Sequence, residues 1–96
     1  MNPANLQLEG LYLAVAAVMN ALRDKGVLSA HELDQALSAA ENRIESDPAR
    51  RTNLSDSNRE AICFPLRFLR LANENSAAGK NLSFSELTTL VGQTKD

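Results

Sequence analysis

Residues 26–33 read GVLSAHEL, and residues 79–87 read GKNLSFSEL. In both, a leucine–serine pair follows a glycine, and a glutamate–leucine pair stands three residues beyond the serine and the leucine before it closes the set. A serine just before a helix accepts from the backbone N–H three positions on. A glutamate at that third position reaches back to the serine N–H, and the flanking apolar residues close over the turn. Ser29 with Glu32 and Ser83 with Glu86 match that capping box, with Leu28/Leu33 and Leu82/Leu87 as the hydrophobic staples. Ser57 and Glu60 share the spacing without the staple. The phrase is thus an instruction to start a helix, and it sets the expected fold class: all-α, a small four-helix bundle-like single domain over residues 1–96, with a Pro-kinked third helix and a short fourth helix.

Two functional motifs resemble the same residues. RDKGVLSAHEL and AAGKNLSFSEL are similar to the second half of an EF-hand loop, which implies calcium. Calcium takes six to eight oxygen ligands, mostly from side chains early in the loop. Counting back from Glu32 puts Ala21, Arg23 and Lys25 at those positions, and counting back from Glu86 puts Asn75, Ala77 and Gly79 there. Neither set supplies the oxygens, so no metal is expected. LSAHELDQAL and LSFSELTTLVGQT resemble the opening helix of a helix-turn-helix, in which a second helix follows the turn and enters the major groove. Four residues follow Gly92, too few for that helix, and Leu37 is followed by SAAENRIESD, which lacks a turn glycine and carries acids that phosphates repel.

Outward from the phrase, the first helix is expected to start at Asn2 as N-cap with Pro3 in its first turn, and to stop at Gly26. Leu8, Leu11, Tyr12, Val15, Val18, Met19 and Leu22 recur at three- and four-residue spacing as its inward stripe. On the other side Gly10, Ala14, Ala17 and Ala21 form a ridge of small side chains. A helix apolar on two faces wants neighbours on both: either it is central in the bundle, or the ridge meets a second copy. Helix two is expected over Ala30–Glu45, with Leu33, Leu37, Ala40 and Ile44 inward and Glu32, Asp34, Glu41 and Glu45 on a solvated acidic face. SDPARRTNLSD, residues 46–56, reads as a long loop. Helix three is expected from Ser57 or Asn58 to about Asn75, kinked by or starting at Pro65. Helix four follows from Phe84 to about Val91, ended by Gly92. The first and third helices are expected to form the main apolar layer.

Apolar residues make up 44% and charged residues 23% of the 96, an ordinary globular balance. The net charge of −2 is unevenly placed: residues 1–48 carry three basic and seven acidic side chains, residues 49–96 seven basic and five acidic. The longest apolar run, LYLAVAAVM, is too short to span a membrane, which needs about 20 residues. The start MNPANLQLEG has no lysine or arginine, as a signal peptide requires, and Cys63 is alone, so no membrane association is expected and the cytoplasm is the expected compartment.

Catalysis needs convergent nucleophiles, bases or ligands. The chain has one histidine and one cysteine. His31 is expected as a solvated helix-end residue and Cys63, between Ile62 and Phe64, as a small buried one. No glycine-rich phosphate loop is present. No enzyme activity and no cofactor are expected. The function expected is a non-catalytic helical protein–protein interaction module, an adaptor or subunit that docks a protein partner or itself as a homodimer, with Gly10, Ala14, Ala17 and Ala21 as candidate contact residues. The alternative is a nucleic-acid-binding regulator with a helix-turn-helix-like element and a basic patch from Arg50 to Arg70, in which Arg50, Arg51, Arg67 and Arg70 contact phosphate. The net negative charge weighs against it.

Overall fold

The computed structural model describes residues 3–47 and 55–94. Four helices form: α1 (Pro3–Asp24), α2 (Ala30–Ser46), α3 (Asp56–Ala77) and α4 (Phe84–Thr94). No strand occurs among the described residues. Asn2 and most of the 46–56 stretch, Arg50 and Arg51 included, lie outside them.

Both copies of the repeated phrase are corners that stop one helix and start the next. Gly26 (φ +72°) and Gly79 (φ +81°) take the left-handed conformation that a side chain disfavours. At the first corner Gly26 N donates to Arg23 O and Val27 N to Leu22 O, both at 3.0 Å. At the second, Gly79 N donates to Ser76 O at 3.0 Å and Lys80 N to Asn75 O at 2.8 Å. These pairs satisfy carbonyls that the helix end leaves without partners, in the Schellman arrangement. The capping boxes follow. Glu32 N donates to Ser29 Oγ at 3.0 Å and Ser29 N to Glu32 Oε1 at 2.8 Å. Glu86 N donates to Ser83 Oγ at 3.1 Å and Ser83 N to Glu86 Oε1 at 2.8 Å.

The third start differs from the expected one. Ser55, not Ser57, caps α3, its Oγ accepting from Asn58 N at 3.2 Å. The earlier serine wins because a start there adds backbone hydrogen bonds, among them Arg59 N to Ser55 O at 3.1 Å. The helix neither starts nor breaks at Pro65. Proline removes the donor for the carbonyl four residues back, and that residue, Ala61, is exposed, so water can replace the lost partner. At the C-terminus α4 continues through Gly92 to Thr94, since this glycine lacks the positive φ that ends α1 and α3.

The central element is α3, which packs on α1, α2 and α4, most broadly on α2. The expected pairing of first and third helices as the main layer therefore gives way to an α2–α3 pair flanked by α1 and α4. Phe68 and Cys63 of α3 are fully buried. Met19, Leu33, Leu69, Leu87 and Val91 complete the core. All four aromatic residues converge: the Phe68 ring lies 5.1 Å from those of Tyr12 and Phe84, and Tyr12 lies 6.5 Å from Phe64. Burial pushes the Tyr12 phenol above its ordinary pKa.

Candidate interaction surface

An α-helix advances about 100° per residue, so the neighbours of α1 divide its circumference in two. Tyr12, Val15, Ala16, Met19 and Leu22 pack against the core. Leu11 and Val18, expected on the same stripe, face outward instead, 57% and 59% exposed, whereas Leu8 stands four residues before Tyr12 on the core side yet stays 49% exposed. The reason is that α1 is flanked on one side only. A helix at the edge of a bundle buries about a third of its circumference, and the chain supplies enough apolar side chains for two such faces.

The outward face has a definite relief. Gly10, Ala14, Ala17 and Ala21 are all exposed and run along its middle at spacings of four, three and four residues. Helical spacing places Leu6 and Leu13 along one flank, 50% and 46% exposed, and Leu11 and Val18 along the other. A Cβ placed on Gly10 would meet nothing within 4 Å. No packing within this chain therefore requires glycine there, although a glycine inside a helix costs about 1 kcal/mol relative to alanine. Glu9 is the only charged residue of α1 before Arg23. Among the described residues every exposed large apolar side chain lies on α1, except Val27 just beyond it. Beside the Leu13 flank a cleft of about 210 Å³ opens between Leu13, Ala17 and Asn20 of α1 and Phe68, Leu82 and Leu87 opposite.

Between α2 and α3, arginines and acids pair. Arg67 Nε donates to Glu41 Oε2 at 2.9 Å, and its guanidinium lies 3.7 Å from Glu45. Arg70 Nε donates to Asp34 Oδ1 at 2.8 Å, and Nη1 reaches Glu41 Oε1 at 3.5 Å. Hydrogen bonding to these acids pushes both guanidinium pKa values up. The acidic face of α2, expected to be solvated, is in part the seam between α2 and α3, and Glu41 is mostly covered, its side chain 15% exposed. Arg67 and Arg70 are thus brought together, with carboxylates between them, on a different side of the molecule from the small ridge.

A second polar seam joins three helices at the other end of α3. Arg23 donates to Asn73 Oδ1 at 2.9 Å and to Ser76 Oγ at 2.8 Å, and Ser76 Oγ donates to Asn20 Oδ1 at 3.1 Å. The buried Asn73 donates to the Ala30 carbonyl at 2.9 Å. One signal for it stood in the sequence: Ile62, Leu66, Leu69 and Asn73 share a stripe, with a polar residue at its last core position. Cys63 is closed off, its thiol donating to Glu45 Oε1 at 3.5 Å. Burial, and then that hydrogen bond, push the thiol pKa up, the opposite of what an activated nucleophile needs. His31 is exposed at the start of α2. Among the described residues no three His, Cys, Asp or Glu side chains gather as a metal site, and no helix is long and apolar enough to cross a membrane.

The chain matches no protein-family model, no curated protein and no solved structure.

Proposed function

We propose that the protein is a non-catalytic helical interaction module, an adaptor or subunit that self-associates through the outward face of α1. The observation that carries this reading is the row of half-exposed Leu6, Leu11, Leu13 and Val18 around a floor of small residues. Removing apolar surface from water yields about 25 cal/mol per Å², and contiguous apolar patches of this kind mark interaction sites on folded proteins. The nucleic-acid alternative draws no support from Arg67 and Arg70, whose charges are already met by Asp34, Glu41 and Glu45.

The test is solution mass by light scattering over a range of concentration, for the natural chain and for the variant Ala14→Glu/Ala17→Lys. Both positions are exposed, so the variant is expected to keep its helical circular dichroism. The natural chain is expected to exceed the 10.4 kDa of one copy, and the variant to return to it. A natural chain that stays at monomer mass at every concentration overturns the reading.

A further inference from the structure

We infer that the cleft between α1 and the α3–α4 corner is a binding site for a small apolar carboxylate, an aryl or branched-alkyl acid. The apolar body of the acid lies on Phe68 and Leu87, and its carboxylate is held by the Asn20 side-chain amide and Lys80. This site goes beyond self-association and does not depend on it, since one copy of the chain forms it alone.

Helices α1 and α4 both pack chiefly on α3 rather than on each other, so a groove remains between them. Alanines keep it open: Ala16 and Ala17 of α1 and Ala72 of α3 stand in its walls, where larger side chains would close it. Buried Met19, Phe68 and Leu87 form the floor, while exposed Leu13, Lys80 and Asn81 form the rim. The volume of about 210 Å³ exceeds the roughly 150 Å³ of a cavity that admits benzene. It falls short of the roughly 300 Å³ at which pockets for drug-sized ligands begin. A ring or branched chain with a short tail is the size that fits.

Arg23 fixes the polarity of one wall. A guanidinium only donates, and a hydroxyl has a single proton to give. Arg23 Nη2 donates to Ser76 Oγ at 2.8 Å, so Ser76 spends its own proton elsewhere, on Asn20 Oδ1 at 3.1 Å. The Asn20 carbonyl is thereby turned to Ser76. Its NH₂ group, with no acceptor among the described residues, is left for a ligand in the cleft that Asn20 lines. Donation from a charged group at the head of the chain polarises it and strengthens this last donor. Asn73 is closed to a ligand because both ends of its amide are used, by Arg23 and by the Ala30 carbonyl, and Asn75 gives its own NH₂ to the Leu71 carbonyl at 2.8 Å.

Charge selects the ligand. Among the described residues Lys80 is the only ionisable side chain lining the cleft, and it pairs with no carboxylate. Arg23, behind Ser76 and Asn73, adds a second positive charge to the same wall. An anion is therefore attracted from rim and wall alike, over an apolar floor that screens charges less than water does. One free ammonium and one amide match a monoanion. A phosphate ester, with nearly two charges and three acceptor oxygens, calls for more donors than these.

The experiment is an amide NMR titration of the full chain with phenylpropionate, phenylpropanol and phenylpropylamine, three probes that share a ring and differ in the head group. Saturable shifts are expected at Ala16, Asn20, Ala72 and Leu87, with the acid bound at least tenfold more tightly than the amine. Lys80→Met removes the charge at an exposed position. Asn20→Asp keeps an acceptor for Ser76 and replaces the NH₂ donor by an anionic oxygen. Each is expected to weaken binding of the acid at least tenfold and to leave the alcohol within about twofold, and the same spectra show that each variant is folded. No saturation by the acid up to about 10 mM overturns the site. Acid bound no better than amine overturns the carboxylate as ligand, and unchanged affinity in both variants overturns the roles of Lys80 and Asn20.

Discussion

Asn73 shows how one side chain can tie three helices together. It is almost fully buried, yet both halves of its amide are used, one by Arg23 of α1 and the other by the first residue of α2. Asn73→Ala leaves the Ala30 carbonyl and the Arg23 guanidinium short of a partner in a covered position, which costs about 1–3 kcal/mol. At this chain length each kcal/mol lowers Tm by about 4–8 °C, so a thermal melt followed by circular dichroism checks it; a loss well under 1 kcal/mol would show that water replaces the amide freely. The pairing of Arg67 with Glu41 and of Arg70 with Asp34 was not legible in the sequence. The partners stand 26 and 36 residues apart, and only helix packing brings them within hydrogen-bond reach. Spacing within one helix marks the acids and the arginines as two separate faces, one solvated and the other a phosphate-binding patch, and carries no sign that they meet.

At the scale of the element, local chemistry decides most. The range Ala30–Ser46 for α2 lies within a residue of the expected one, because a capping box is formed entirely by residues three apart. Ser29→Ala and Ser83→Ala are each expected to cost about 1 kcal/mol, measured as a shift of the urea midpoint, and the second should also speed amide exchange through the short α4. That box is pH-dependent. Hydrogen bonds from the Ser83 backbone N–H, and then from its side chain, hold the Glu86 carboxyl below the ordinary glutamate range. Since the folded value is depressed, the stabilisation is fully present above the unfolded pKa of about 4.3 and is lost as pH falls through the folded value. An NMR titration of Glu86 that gives an unshifted pKa would contradict this. Sequence and structure differ where two local signals compete, as at Ser55 and Ser57, or where a glycine lacks the left-handed backbone of a helix stop, as at Gly92.

At the scale of the whole molecule, the self-association proposed here links stability to concentration. A pair that binds only in its folded form raises Tm as concentration rises, so calorimetry over a hundredfold dilution should show Tm falling for the natural chain and staying level for Ala14→Glu/Ala17→Lys. A level Tm for both would remove the coupling. The sequence by itself determined that the chain is helical, where α2 and α4 begin, and that α1 carries two apolar faces. Each of these depends on residues within one or two turns of one another, where spacing in sequence is distance in space. Which of the two faces of α1 is buried was decided only by tertiary structure. Leu6, Leu11, Leu13 and Val18 are as apolar as Tyr12, Val15 and Met19, and no local energy separates the two faces. What separates them is that α3, threaded through the middle with Phe68 at its centre, receives Tyr12 and Met19 together with Phe84 and Leu87 of α4. The choice of core face depends on partners about fifty to seventy residues away, and it leaves the leucine-flanked ridge of α1 outward.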